Sequence, residues 1–300
     1  TLTHSIPEPN GLAIRTPLGL ILHTGDWKID PDPIIGEDFD QAKIEELGRE
    51  GILAMVCDST NVFEEGEAGS EGMAREALRR AVAEQTGRVA ITSFASNVAR
   101  VQSACEAARA NDRSVCLVGR SMLRIVGAAQ SVGLLKGFEF IDPEDAADLP
   151  HQHVLYLCTG SQGEPNAALA RIARGDHPSV KLGEDDTVIF SSRVIPGNER
   201  AIGEIQNTLA ERNIKLVTAR QFDIHVSGHP CRDELRRMYM WAKPQIAVPV
   251  HGERRHIMEH ARFAKSLQVP YAITPDNGHV IRLAPGPVEL IDEAPVGRLH

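Results

Sequence analysis

The chain has 300 residues, 42% hydrophobic and 24% charged, enough to build one large or two ordinary globular domains. No window approaches eighteen uninterrupted apolar residues and no basic-then-apolar leader opens the chain, so a membrane partner is not expected and the expected setting is cytoplasmic. A net charge of −9 argues against a broad basic face that coats nucleic acid, while leaving room for a local basic or hydrogen-bonding site.

The chain opens on Thr1-Leu2-Thr3-His4 without a methionine, which reads as the middle of a longer sequence. Two short apolar runs within 12–22 surround Thr16-Pro17-Leu18-Gly19, a hairpin signal, and the second run enters the turn Thr24-Gly25-Asp26. A Pro- and Asp-rich stretch then becomes helical before residue 47. Leu53 to Cys57 reads as a short buried strand that stops at Asp58-Ser59-Thr60-Asn61, and an acidic, Gly-rich loop follows.

From residue 73 onward helices and strands alternate: helix 73–85, strand 88–93, helix 97–110, strand 114–119, helix 121–130 and strand 137–141. Strand 153–158, helix 165–174, strand 187–192, helix 198–212 and strand 214–219 continue the pattern. Ile202, Ile205 and Leu209 place one helix face inward. Such alternation predicts a mostly parallel sheet covered by helices, an α/β fold. Helix 231–242, strand 245–250, helix 254–267 and a strand pair around Asp276-Asn277-Gly278 follow, and residues 285–300 read as the start of something that continues. The five cysteines are odd in number and mostly set in apolar runs, which predicts reduced, buried thiols.

Chemistry concentrates where strands end. Asp26 follows a strand and a tight turn, and serves either as a rigid metal ligand or as an ordinary turn former. Asp58 stands at the C-terminal end of a buried strand, the usual active-site edge of an α/β sheet, or else caps the next turn. Phe94-Ala95-Ser96-Asn97 joins a strand to a helix. It offers helix N–H groups and side-chain donors to a phosphate and Phe94 to a base, or is a plain N-cap. Three histidines arrive at turns between 225 and 251, in His225-Val226-Ser227-Gly228-His229 and Pro249-Val250-His251-Gly252-Glu253. His256-Ile257-Met258-Glu259-His260 matches an inverted zinc-peptidase pattern, but flanking arginines favour a solvated helix face.

Seven stretches in this order resemble ribonuclease J, of the β-CASP branch of metallo-β-lactamase-fold nucleases. They are His4-Ser5-Ile6-Pro7, His23-Thr24-Gly25-Asp26, Asp58-Ser59-Thr60-Asn61, the Phe94 loop, Thr159-Gly160-Ser161-Gln162-Gly163-Glu164-Pro165 and the two histidine stretches. The resemblance implies a metallo-β-lactamase αββα sandwich (residues 1–62 and 221–300) interrupted by a β-CASP domain (63–220) with a mostly parallel sheet. It implies a zinc-dependent ribonuclease, with 5′–3′ exonuclease and endonuclease activity in rRNA processing and mRNA decay. Two zinc ions are expected, with manganese as the alternative metal. His4, Asp26 and His251 would be metal ligands, Asp26 bridging both ions. Asp58 and His229 would join Asp26 in catalysis, His229 as the proton donor to the leaving oxygen. Phe94, Ala95, Ser96, Asn97, His225, Val226, Ser227, Gly228 and His229 would bind the substrate, single-stranded RNA with a 5′-monophosphate.

The signature His-x-His-x-Asp-His, which in the family lies upstream of the position of Thr1, is absent from the sequence, as is the family's C-terminal domain. Homo-oligomerisation through that domain is expected of the family. The missing signature points to truncation, the alternative being a non-catalytic RNA-binding relative without a complete metal site.

Overall fold

The computed structural model describes residues 1–297, so the last three residues of the 285–300 stretch lie outside it. Two five-stranded sheets carry the chain. The first is assembled from both ends of the sequence: β1 (Leu12–Thr16), β2 (Gly19–His23), β3 (Ile52–Asp58), β9 (Ile246–Val250) and β10 (Tyr271–Ala272), side by side in that order. Only the β1–β2 hairpin is antiparallel; β2, β3, β9 and β10 run parallel. The second sheet is drawn wholly from the middle of the chain and is parallel throughout. Its order is β5 (Ser114–Val118), β6 (Val154–Cys158), β4 (Val89–Thr92), β7 (Thr187–Phe190) and β8 (Lys215–Val217).

The near-continuous apolar strands of the second sheet are explained by burial on both faces. On one face Ile91, Leu155, Leu157 and Ile189 pack against α2 (Glu71–Ala83), α3 (Val98–Ala110) and α4 (Arg120–Ser131). On the other, Ala90, Tyr156, Val188 and Phe190 share a core with α5 (Pro143–Asp148), α6 (Ala168–Arg174) and α7 (Glu199–Glu211); Ile202, Ile205 and Leu209 of α7 point inward as their spacing predicts. The first sheet packs one face against α1 (Gln41–Glu50), α8 (Arg232–Ala242) and α9 (Arg254–Ser266), with Met55, Cys57, Leu235, Met238 and Phe263 in that core. Its opposite face carries a smaller cluster around Ala54, Ile246 and Val248, with Ile21, Val56 and Leu283 only partly covered.

Two strand expectations need correction. Residues 137–141 form no strand; only Ile141 bridges Cys116, because Arg109 lies over the Phe138 ring, hydrogen-bonds the Gly137 carbonyl and holds the segment in a loop. The final strand pair is β11 (His279–Arg282) with β12 (Glu289–Glu293), so the chain reverses after Arg282 rather than at Asp276-Asn277-Gly278. All five cysteines are buried and unpaired, as expected of reduced thiols.

A buried ionic joint links the two sheets' surroundings. The Arg100 guanidinium on α3 forks onto the Glu71 carboxylate on α2 at 2.9 Å and donates to the carbonyls of Ser191 and Ile224. Nearby, Lys28 pairs with Asp30 at 2.8 Å, both fully enclosed. Glu234 on α8 accepts from the N–H groups of Ile29, Ala68 and Cys231, pinning the crossings between the two parts. Buried charges of this kind persist when they are paired and hydrogen-bonded, as these groups are.

Candidate active site

The C-terminal ends of the parallel strands in both sheets open onto one cleft, of about 620 Å³. Thr60 and Asn61 follow β3 and His251 follows β9 on one wall; Ser93 and Phe94 follow β4, and Ser191 and Arg193 follow β7, on the other. This edge is where an α/β sheet presents side chains on loops anchored by rigid strands.

At one end of the cleft Asp26, Asp58, His229 and His251 each place one donor atom within 4.8 Å of the others. Register explains the convergence: β2 sets His23 beside Val56 and β3 sets Asp58 beside Val250, so the turns leaving three neighbouring strands emerge together. Within the Asp26 turn, the Gly25 N–H donates to His23 Nδ1 and the Thr24 N–H to the Val56 carbonyl.

A chain of hydrogen bonds sets the imidazole tautomers. Asp58 is wholly buried; its Oδ2 lies 2.7 Å from His229 Nδ1, and its Oδ1 accepts from the Thr60 hydroxyl and N–H at 2.7 and 2.8 Å. Because the Thr60 proton goes to that carboxylate, its oxygen accepts from His251 Nδ1 at 2.8 Å. His4 Nδ1 donates to the Gly228 carbonyl at 2.6 Å. In each neutral ring Nδ1 is therefore the protonated nitrogen, which leaves the Nε2 lone pair for a ligand. His251 Nε2 faces Asp26 Oδ2 at 3.7 Å.

Electrostatics follow the same contacts. Burial alone would raise the Asp58 carboxyl, but the hydrogen bond from His229, the His251 imidazole 3.5 Å away and the Thr60 N–H hold it well below the usual carboxylate range. The same carboxylate raises His251 against the effect of burial. Burial lowers His4. It also lowers His225 to about 3, helped by the charges of Arg100, Arg193 and Lys28, so this imidazole is neutral.

Backbone geometry supports the arrangement. His251 adopts φ 57°, the left-handed region, which a side chain occupies only when its surroundings enforce it. Gly228 is required by close approach: a Cβ there would lie 2.6 Å from Ser5 Oγ and 2.7 Å from His4 Cε1.

The residues expected in the site take different places. Asp26, Asp58, His229 and His251 converge; His4 lies beside them, its ring 5.1 Å from that of His229, but outside the four-residue group. Phe94, Asn97, His225, Ser227, Gly228 and His229 line the cleft. Val226 is buried, and Ser96 is exposed. Ala95 packs against the insert's core. The Asn97 side chain is committed inward, its oxygen capping the Arg100 N–H of α3 at 2.9 Å and its nitrogen donating to Glu71. The expected solvated face at His256–His260 is a correction: His260 is fully buried, with Ser59 Oγ on one ring nitrogen at 2.8 Å and Tyr239 Oη on the other at 2.9 Å. With both nitrogens occupied it cannot chelate with His256, and the peptidase pattern is coincidental.

Arg193 is a participant that the sequence did not point to, and Asn61 figures there only within the Asp58 stretch, without a role. Asn61 donates to Ser227 Oγ and to the His229 carbonyl, and its own oxygen accepts from Arg193. Both residues sit just past strand ends, a signal equal in kind to that of Asp58.

Residues 86–209 match the model of the ribonuclease J β-CASP domain, and residues 216–271 match that of a Zn-dependent metallo-hydrolase RNA specificity domain. A ribonuclease J of Sinorhizobium meliloti is 49% identical over 300 residues, covering 100% of this chain and 53% of the relative. The chain belongs to the ribonuclease J family. Ribonuclease J proteins of Corynebacterium glutamicum and Thermus thermophilus are 41% and 39% identical across 100% of the chain, which covers 42% and 53% of them. The chain thus spans about half the length of these curated relatives. Family membership makes the split first sheet part of a metallo-β-lactamase fold and the central parallel sheet its β-CASP insert. No helix among the described residues is long and apolar enough to cross a membrane.

Proposed function

We propose that this chain carries residues of a metal-dependent ribonuclease centre that hydrolyses RNA phosphodiesters, by 5′–3′ exonucleolytic and endonucleolytic cleavage. The observation that carries the reading is the convergence of Asp26, Asp58, His229 and His251 at the mouth of a cleft between two sheets. The Asp26 carboxylate and the available Nε2 atoms of His4 and His251 suit a divalent cation of the zinc class. His4, Asp26 and His251 would hold the metal, with two zinc ions proposed for the whole protein. The metal when bound would supply an activated water and offset the charge that builds on phosphorus.

The chain's own residues do the rest. Asp58 orients His229 through Nδ1 and would stabilise its doubly protonated form, from which the Nε2 proton would pass to the leaving 3′ oxygen. Asn61 fixes the His229 carbonyl and Ser227 Oγ, so the loop carrying the proton donor has one conformation. Phe94 would stack on the terminal base, while Ser227 and the neutral His225 would contact the 5′-phosphate by hydrogen bonds. Asn97 would act by shaping its loop rather than by touching RNA. The proposed boundaries are 1–62 and 221–300 for the metallo-β-lactamase part and 63–220 for the insert.

The test uses 5′-monophosphorylated, end-labelled RNA. Asp26→Ala and His251→Ala should abolish cleavage and leave RNA binding within a few-fold of the parent. Undiminished cleavage by either variant refutes the metal assignment, and RNA binding without metal or turnover in the parent indicates the non-catalytic alternative.

A further inference from the structure

On the first-sheet wall of the cleft, Phe63 leaves 49% of its surface exposed in a loop that begins only a few residues after Asp58. Isolated exposed apolar residues are ordinary on a protein surface. Phe63 differs in three respects. It lies in a concave cleft shared with Phe94, His229 and His251. Its ring is backed by His256, edge-on at 5.3 Å and 64°. The Arg255 guanidinium lies 5.9 Å from its centroid.

The backing residues are themselves held. His256 Nδ1 accepts from the Glu253 N–H at 3.2 Å at the start of α9, and Arg255 Nε pairs with Glu253 at 2.9 Å. Gly252 lets the His256 side chain approach, since a Cβ there would come within 2.8 Å of His256 Cβ. An exposed ring thus stands on a fixed imidazole with a cation beside it, in a chain whose net charge is negative. A planar, electron-delocalised ligand attached to an anion matches both groups at once, through stacking on the ring and attraction to the guanidinium.

We propose that Phe63, supported by His256 and Arg255, is a second nucleobase platform, which holds a nucleotide downstream of the scissile phosphate. This rests on the RNA reading of the cleft. The terminal base lies on Phe94 from the insert, the scissile phosphate at the Asp26–His251 group, and the next base on Phe63. Aromatic residues from both sheets then grip one strand on either side of the reacting bond.

The experiment measures binding of a fluorescent 5′-monophosphorylated RNA hexamer, with chelator present so that nothing is cut. A second hexamer lacks the base at its second nucleotide. Phe63→Ala should weaken binding of the intact hexamer about tenfold, in the range for loss of one base–aromatic stack. It should leave the abasic hexamer unchanged, and Phe63→Trp should restore the parent affinity. Equal affinities of Phe63→Ala and the parent for the intact hexamer overturn the platform. So does an equal loss on both hexamers, which marks a structural defect, or a failure of Phe63→Trp to restore binding. Absence of RNA binding by the parent overturns the RNA reading itself, and the platform with it.

Discussion

His229 Nδ1 stands 2.7 Å from Asp58 Oδ2 although 171 residues separate them, and the whole insert lies in between. The pair joins the strand that precedes the insert to the loop that follows it. Closing the first sheet with β9 beside β3 is what brings them together. Replacing Asp58 with Asn keeps the shape but removes the charge that orients the ring. The expected result is a fall in cleavage rate of about 10²–10⁴-fold, the usual contribution of a positioned proton donor, with RNA affinity retained. Rapid-quench measurement of the cleavage step checks it; a rate within threefold of the parent would contradict the proton-donor role.

Gly228 offers a test from the backbone side. A Cβ there collides with Ser5 Oγ and His4 Cε1, so Gly228→Ala must displace His4 from its carbonyl partner. Zinc affinity should drop about 10- to 100-fold, the common cost of disturbing a ligand's supporting shell. Calorimetric titration reads this directly, alongside an unaltered circular dichroism spectrum.

Arg100 and Glu71 test the joint behind the cleft. Arg100→Met leaves the Glu71 carboxylate buried without its partner and should destabilise the protein by about 3–5 kcal/mol in urea titrations. The double variant Arg100→Met, Glu71→Gln should recover part of that loss, since the stranded charge is gone.

His260 gives a pH signature. Burial lowers its imidazole to about 4, so the folded state holds it neutral while the unfolded chain takes up a proton near the ordinary value of 6.5. Its contribution is complete above about pH 6.5 and is lost as pH falls from there toward 4, on the order of 3 kcal/mol across that window. Melting temperature should therefore fall between pH 7 and 5 in the parent, and fall less steeply in His260→Gln. Identical slopes would contradict a neutral buried imidazole.

Much of this was legible in the chain. The alternating pattern between 73 and 219 gave the parallel sheet because its strands are buried on both faces and its helices keep a regular apolar spacing. Asp58 and His251 were visible because a polar residue ends each apolar run. Sequence could not show that Asn97 turns inward, since a cap and a phosphate donor need the same residue type at the same position. Nor could it show His260 enclosed by Ser59 and Tyr239, because the arginines on the exposed side of α9 masked a buried face. Asn61, Arg193 and Phe63 gain meaning only once the insert's strand ends are set opposite those of the first sheet.

The most direct test of the metal-centre account is crystallography of the zinc-loaded protein, with data collected on both sides of the zinc absorption edge. The account predicts anomalous density bonded to Asp26 and His251, with His229 still hydrogen-bonded to Asp58. Density ligated elsewhere, or none beside Asp26 and His251 at saturating zinc, would contradict it.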